Sequence, residues 1–206
     1  MILLSTAYFP PITWMALLLQ NKEVTIDLHE TYSKQSYRNR FQITTANGMM
    51  ALSVPVKKPQ GNHTTSGNIT LEASQNWQQV HWKSILAAYQ SSPFFLYYKD
   101  DIEALFKIKY DSLHQMNIKI ITTLASLIGF QINIKYTEDF IPLNQIENDY
   151  RFSIHPKKKS LFKLQTYEQV FEEKNGFFED LSVLDLLFNL GPESLLYLED
   201  CKGSVD

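Results

Sequence analysis

The hydrophobic positions of the chain recur with two periods. Val24, Ile26 and Leu28 alternate with Thr25, Asp27 and His29, the two-residue repeat of a strand with one buried face. Ile2-Leu3-Leu4 is a short apolar run that ends before Tyr8-Phe9-Pro10-Pro11, and Trp14 to Gln20 has helical character. Strand, helix and strand at this spacing predict a parallel βαβ start. The Tyr8–Pro11 turn then lies at the carboxyl end of the first strand, where open α/β sheets place ligands. Phe41–Thr44 and Ala51–Val56 flank Ala46-Asn47-Gly48, and Asn-Gly signals a hairpin because both residues tolerate positive φ. Residues 57–67 are polar and contain Pro and Gly, which reads as a mobile loop, and Ile69-Thr70-Leu71 returns as a short strand.

Helical periods dominate the middle of the chain. Asn76 is placed to cap a helix from Trp77 to about Gln90 that Ser92-Pro93 ends. Asp100-Asp101 put negative charge at the expected start of a second helix, in which Ile102, Leu105, Phe106 and Lys109 follow the i, i+3, i+4, i+7 pattern. Leu113, Met116, Ile120, Ile121, Leu124 and Ile128 continue that period to Gly129, a suitable residue just beyond a helix end. Phe130, Ile132, Ile134 and Tyr136 alternate as a strand, and Arg151–Ile154 reads as extended. Ser182-Val183-Leu184-Asp185 is a capping box opening Val183–Leu190, with Gly191 to close it and Pro192 at the first position of a final helix. The expected fold is α/β: a small mixed sheet that starts with a βαβ unit and a β-hairpin, with a largely helical second half. Residues 1–206 read as a single domain, sheet-rich over 1–72 and mainly helical over 73–206 with one or more added strands.

Composition narrows the function classes. At 206 residues, with 44% hydrophobic and 20% charged residues, the chain is long enough to bury a sizeable core. A formal net charge of -3 argues against nucleic-acid binding, and Lys157-Lys158-Lys159 is too short a basic run to reverse that. One cysteine, Cys201, rules out an intrachain disulfide, which favours a reducing compartment and an inert, exposed thiol. The amino terminus lacks the Lys/Arg of a secretory signal, and Pro10 and Pro11 split its apolar stretch. The expectation is a cytoplasmic protein without membrane insertion, in which the two Asn-x-Thr sequons at Asn62 and Asn68 are chance matches.

The densest polar cluster is Glu30 to Arg40, which carries Tyr32, Lys34, Gln35, Tyr37, Asn39 and Arg40 on a segment with no apolar face. It reads either as a solvated connection or as a binding loop in which Lys34 or Arg40 meets a phosphate or carboxylate. Helical spacing puts Trp77, His81 and Ile85 on one face. His81 is then either a hydrogen-bonded core residue or, if the Asn39-Arg40 end of the loop approaches, a general acid or base. Tyr89, Phe94, Phe95, Tyr97 and Tyr98 are core packing or a surface on which a sugar or base stacks. No His-x-x-x-His or Cys-x-x-Cys pattern suggests a metal, and no Gly-x-Gly-x-x-Gly, Walker or Gly-x-Ser-x-Gly signature is present. Nothing in the residues identifies a cofactor.

With these residues in place the chain resembles the WbqC-like family of bacterial proteins, which are associated with surface-polysaccharide biosynthesis. The resemblance is carried by Tyr8-Phe9-Pro10, Asp27, Tyr32 through Arg40, Leu52-Ser53-Val54-Pro55-Val56, Trp77-x-x-x-His81 with Tyr89 and Ser92-Pro93-Phe94-Phe95, and Leu181 through Leu187. Such proteins commonly carry Gln-Pro before the aromatic pair, where this chain has Ser5-Thr6-Ala7. The resemblance implies a cytoplasmic enzyme of surface-polysaccharide biosynthesis, a transferase acting on a nucleotide- or lipid-linked sugar. On that reading Arg40 and Lys34 bind phosphate, Asn39 orients the substrate and His81 moves a proton. Tyr8, Tyr32, Gln35, Tyr37, Trp77 and Tyr89 contact the substrate, a nucleotide-sugar or other phosphorylated small molecule. The alternative is a non-catalytic binding or scaffold protein of a biosynthetic complex.

Overall fold

The computed structural model describes residues 2–21, 23–72, 76–143 and 145–203. The expected division between residues 72 and 73 abuts 73–75, outside the described residues. In chain order come β1 (Ile2–Ser5), α1 (Ile12–Gln20), β2 (Val24–Asp27), β3 (Arg40–Thr45), β4 (Gly48–Ser53), β5 (Val56–Lys57) and β6 (Thr70–Leu71). Three long helices come next, α2 (Trp77–Tyr89), α3 (Phe95–Lys107) and α4 (Leu113–Ile128). The remainder holds β7 (Ile134–Tyr136), β8 (Phe162–Lys163), α5 (Glu172–Asn175), α6 (Val183–Leu190), α7 (Ser194–Asp200) and β9 (Lys202–Gly203).

The βαβ start is present. β1 and β2 run parallel in a register that pairs Ile2 with Val24 and Ser5 with Asp27, so both strands end at one level. β7 joins the far side of β2 in parallel, giving the order β1-β2-β7. Every residue of β1 and β2 is buried; Thr25 and Asp27, expected on an exposed face, are covered too, because parallel strands are packed on both faces. The strand expected over Phe130–Tyr136 shrinks to Ile134–Tyr136, because only Val24–Ile26 of β2 meets it. The Tyr8–Pro11 turn does sit at the end of β1, but all four residues are buried. Phe9, at φ +42°, stacks on Phe106 at 5.5 Å, so this turn is core.

The hairpin pairs β3 with β4 from Arg40↔Ser53 to Thr45↔Gly48. Ala46 and Asn47 occupy the turn, and of the Asn-Gly pair only Gly48 takes positive φ, +100°. Residues 57–67 correct the expectation of a free loop. Their backbone is tied to the segment after β2 through Gly67 N to Leu28 O, Ser66 N to Glu30 O, and Tyr32 N to Thr64 O, each at 2.8–3.0 Å. These bonds come from residues 64–67, where Thr64 and Ser66 are buried, whereas residues 59–63 are exposed.

Two helix starts and one extended segment also differ from expectation. α3 begins at Phe95, and Asp100-Asp101 lie mid-helix on its exposed face, because the buried stripe Phe95, Ile102, Leu105 and Phe106 extends upstream of them. Asn76 makes no side-chain cap to α2 and bonds Gln79 instead. Arg151–Ile154 is a turn, since the Arg151 side chain is drawn inward by the buried Asp27 carboxylate and paired with Asp149. Cys201 is buried, since Gln20 Nε2 donates to Leu198 O and Cys201 O at 2.7 Å and draws the last residues against α1. Burial pushes its thiol up to about 12, which keeps it protonated and unreactive.

Ser182 caps α6 by accepting from Leu184 N at 3.3 Å, but Asp185 does not close the expected box. Its carboxylate instead receives Tyr167 Oη at 2.6 Å and Gln169 Nε2 at 3.1 Å. We expect Ser182→Ala to lower stability by about 1 kcal/mol in urea unfolding, and Asn76→Ala to leave it nearly unchanged.

Candidate functional site

Beyond the level where β1 and β2 end, two linked networks join four buried charged side chains, Asp27, Glu30, Arg38 and Arg151, to the half-buried Asp149. Asp27, the last residue of β2, is fully buried; its Oδ1 accepts His29 N at 2.8 Å, Glu30 N at 3.2 Å and Thr137 Oγ1 at 3.0 Å. Its Oδ2 is ion-paired with Arg151 Nη1. The same guanidinium grips Asp149 through Nε and Nη2 at 2.9 and 2.5 Å and donates to Ile141 O at 2.9 Å. Hydrogen bonds from Arg151 hold the Asp149 carboxyl below its ordinary pKa, against the opposing effect of burial, which is the largest single influence. These bonds explain why Arg151–Ile154 folds as a turn: Arg151 must point inward to reach a carboxylate 124 residues earlier.

The second network centres on Arg38. Its Nε and Nη2 form a two-pronged pair with Glu30 at 2.7 and 2.6 Å, the geometry that strengthens guanidinium–carboxylate bonds. Ser5, at the end of β1, accepts from Arg38 Nη2 and faces the Arg151 carbonyl at 3.0 Å. Thr6 is held by Asn117 Nδ2, which also donates to Arg38 O at 2.8 Å. The Ser5-Thr6-Ala7 segment, with Trp14, Tyr37, Arg38, Tyr150, Arg151 and Ile154, lines a narrow cleft of about 10 Å³, room for a single water. Phe152 is 41% exposed and lies against both guanidinium groups, with its ring centre 5.7 Å from Arg38 Cζ and 5.8 Å from Arg151 Cζ.

The predicted site residues fall into three groups. Tyr8, Trp77 and His81 meet in the core: Tyr8 Oη and His81 Nδ1 are 3.0 Å apart, and Phe41 and Trp77 wall the imidazole. Burial lowers the His81 pKa to about 4, opposed by a hydrogen bond with the Ser53 backbone, and raises that of Tyr8 well above 10. This group is joined to the loop, since Tyr8 N donates to Tyr37 O at 2.8 Å. Asn39 Nδ2 is engaged by Val54 O at 2.7 Å, and Arg40 Nε donates to Ser53 Oγ at 3.0 Å. The second group is the loop itself. Tyr37 lines the cleft and bonds Gln42, Tyr32 is buried, and Lys34 and Gln35 are exposed, Gln35 at φ +56°. Tyr89 stands apart, packed on Phe188 at 5.1 Å on the side of Asp185.

Residue type and spacing do not single out Arg38, Glu30, Arg151 or Phe152. Arg38 and Glu30 stand within the polar loop without distinction from their neighbours. Asp27 leaves one trace, a charged residue in an otherwise half-buried strand pattern. Nothing local marks Arg151.

The outer charges are cationic. Among the described residues, Lys34, Arg40, Lys58, Lys157 and Lys158 take part in no ion pair. Desolvation and then the adjacent Lys34 ammonium lower the Lys58 pKa. His155, after the Arg151 turn, is likewise lowered by desolvation first and then by Arg38, Lys157, Lys158 and Arg40. Like charges therefore crowd the 31–40 loop and the 155–158 turn. The wider groove of about 620 Å³ formed by Ser91–Pro93 and residues 168–173 carries Glu168, Glu172 and Glu173, the wrong sign for an anion. The N-terminus of α1 is also taken, since Thr13 N donates to Asp180 Oδ1 at 2.7 Å.

The sequence profile of the WbqC-like protein family matches residues 6–160, a span that contains both networks and the cleft apart from Ser5, and the cationic loop. The chain belongs to the WbqC-like protein family. The Leu181–Leu187 stretch, which contributed to the resemblance, lies beyond the matched span. The chain is also similar to "Uncharacterized protein Rv1507c" of Mycobacterium tuberculosis, 23% identical over 197 residues that cover 83% of this chain and 85% of that protein. No solved structure matches. Among the described residues no helix is long and apolar enough to cross a membrane, and no cluster of His, Cys, Asp and Glu could hold a metal ion.

Removing Arg151 strands a buried carboxylate, so Arg151→Met is expected to cost about 3–5 kcal/mol in chemical denaturation. Adding Asp27→Asn should recover part of the loss, because the amide keeps an oxygen for the three donors at Oδ1 and removes the uncompensated charge. The His81 pKa falls on folding, so between pH 6.5 and about 4 the unfolded chain binds a proton that the folded chain refuses. That contribution to stability is intact above the window and lost as pH falls through it. From pH 7 to pH 4, wild type should lose up to about 3 kcal/mol more unfolding free energy than His81→Phe.

Proposed function

We propose that this WbqC-like protein binds an activated sugar, nucleotide- or lipid-linked, through its phosphates, and acts as a transferase in surface-polysaccharide biosynthesis. The observation that supports phosphate binding is the cationic rim: Lys34, Arg40, Lys58, Lys157 and Lys158 stand without carboxylate partners in a chain of net charge -3. Unpaired like charges repel one another and persist where an anion relieves them. In this reading Arg40 and Lys34 take the phosphates, Arg40 offering a planar fork and Lys34 a mobile point charge. Asn39 orients the substrate and His81, neutral at pH 7, moves a proton in concert with Tyr8. The polysaccharide setting and the transfer reaction rest on the family resemblance.

A non-catalytic binding role is supported by a different observation: Tyr8, Asn39 and His81 are buried or part-buried and already hydrogen-bonded within the protein. The two readings diverge in one set of measurements. Titration calorimetry with UDP-glucose at low ionic strength should show binding that Lys34→Ala and Arg40→Ala each weaken about tenfold, and that added salt reduces. No heat of binding at millimolar UDP-glucose or inorganic pyrophosphate would overturn phosphate binding. Wild-type polysaccharide output from cells carrying His81→Ala would remove the catalytic role and leave the binding one.

A further inference from the structure

Phosphate binding leaves open what else the ligand carries, and the turn after Asp149 bears on it. Phe152 is a large aromatic left 41% exposed directly beside Arg151, which is fully buried. Its ring rests on two guanidinium groups, and neither can move away: Arg38 is fixed by Glu30 and Ser5, Arg151 by Asp27 and Asp149. The two cations draw on the π-electrons of the ring and hold it in place, and its exposed part is open to another flat group. His155 lies three residues later, within the field of Arg38, Arg40, Lys157 and Lys158. A stacking surface bordered by unpaired cations is the arrangement by which proteins take a base and its phosphates together. A polyprenyl chain would find charged groups here where it needs apolar ones.

We propose that Phe152 is the platform for the base of a nucleotide, so that the ligand is a nucleoside diphosphate compound and not a lipid-linked one. The inference rests on phosphate binding at the cationic rim and adds the base to it. Stacking tolerates any base, because each has a π-face, so uracil and guanine both suffice to test it.

The test compares UDP, GDP and inorganic pyrophosphate by titration calorimetry on the full chain. Both nucleotides should bind more tightly than pyrophosphate. Phe152→Leu, which still covers the buried ion pairs, should weaken UDP by about five- to a hundredfold and leave pyrophosphate unchanged, whereas Phe152→Trp should keep UDP affinity. A Phe152 that merely shields the ion pairs would instead give equal losses for nucleotide and pyrophosphate. Nucleotides no tighter than pyrophosphate in the wild type, or a Phe152→Leu that spares UDP, would overturn the platform while leaving phosphate binding intact. If neither nucleotide nor pyrophosphate binds, both readings fall.

Discussion

Asp27 ends β2 with a carboxylate that has no access to water, and a carboxylate in that position costs several kcal/mol unless a cation meets it. The cation is Arg151, supplied from 124 residues further along the chain. Much of the upper surface depends on this one pair. Bringing Arg151 inward lays residues 148–150 along the free edge of β1, where Leu3 N donates to Asn148 O and Tyr150 N to Leu3 O at 3.0 and 2.8 Å. It bends the chain into a turn, closes one wall of the cleft, and sets Phe152 and His155 on the outside. The Arg151 carbonyl then faces Ser5, which links the pair to Arg38 and Glu30.

Charge is thereby sorted by depth. Inside, two arginines face three carboxylates in directed bonds, which makes the region stiff. Outside, Lys34, Arg40, Lys58, Lys157 and Lys158 have no carboxylate partner among the described residues. An overall charge of -3 conceals this, since the acidic groups gather elsewhere, in part along the Glu168–Glu173 groove. The βαβ unit also departs from the usual placement of an anion. Its helix N-terminus is capped by Asp180, whose carboxyl burial pushes up to about 6, so the chain itself fills the position that a bound phosphate takes in many α/β proteins.

Local signals make much of the framework legible. The strand at Val24–Asp27, the Asn-Gly turn, the helical stripe from Leu113 to Ile128 and the Ser182 cap each depend on neighbours within one or two turns of chain, and each appears in the structure. Misreadings have two causes. Asp185 resembles half of a box and residues 64–67 part of a free loop because a local pattern omits the distant surface that engages them, whereas Asn76 is taken by Gln79 within its own helix and the apolar stripe from Phe95 starts α3 upstream of Asp100-Asp101. Asp185 is engaged by Tyr167 and Gln169, and residues 64–67 by the backbone of 28–32.

The candidate site divides in the same way. Residue type and spacing alone singled out the polar loop with Lys34, Asn39 and Arg40, and the face of α2 bearing Trp77 and His81, because a run of hydroxyl, amide and cationic groups and a histidine on an apolar stripe are visible one residue at a time. Tertiary structure decided which of them share a neighbourhood, that His81 meets Tyr8 within an aromatic cage, and that Phe152 is exposed above the buried Arg38 and Arg151. The physical reason is range. Periodicity and capping act over a few residues, whereas the burial of a charge is resolved by whichever opposite charge folding brings into hydrogen-bonding contact, and in this chain that partner is specified by the packing of β1, β2 and the turn at Arg151.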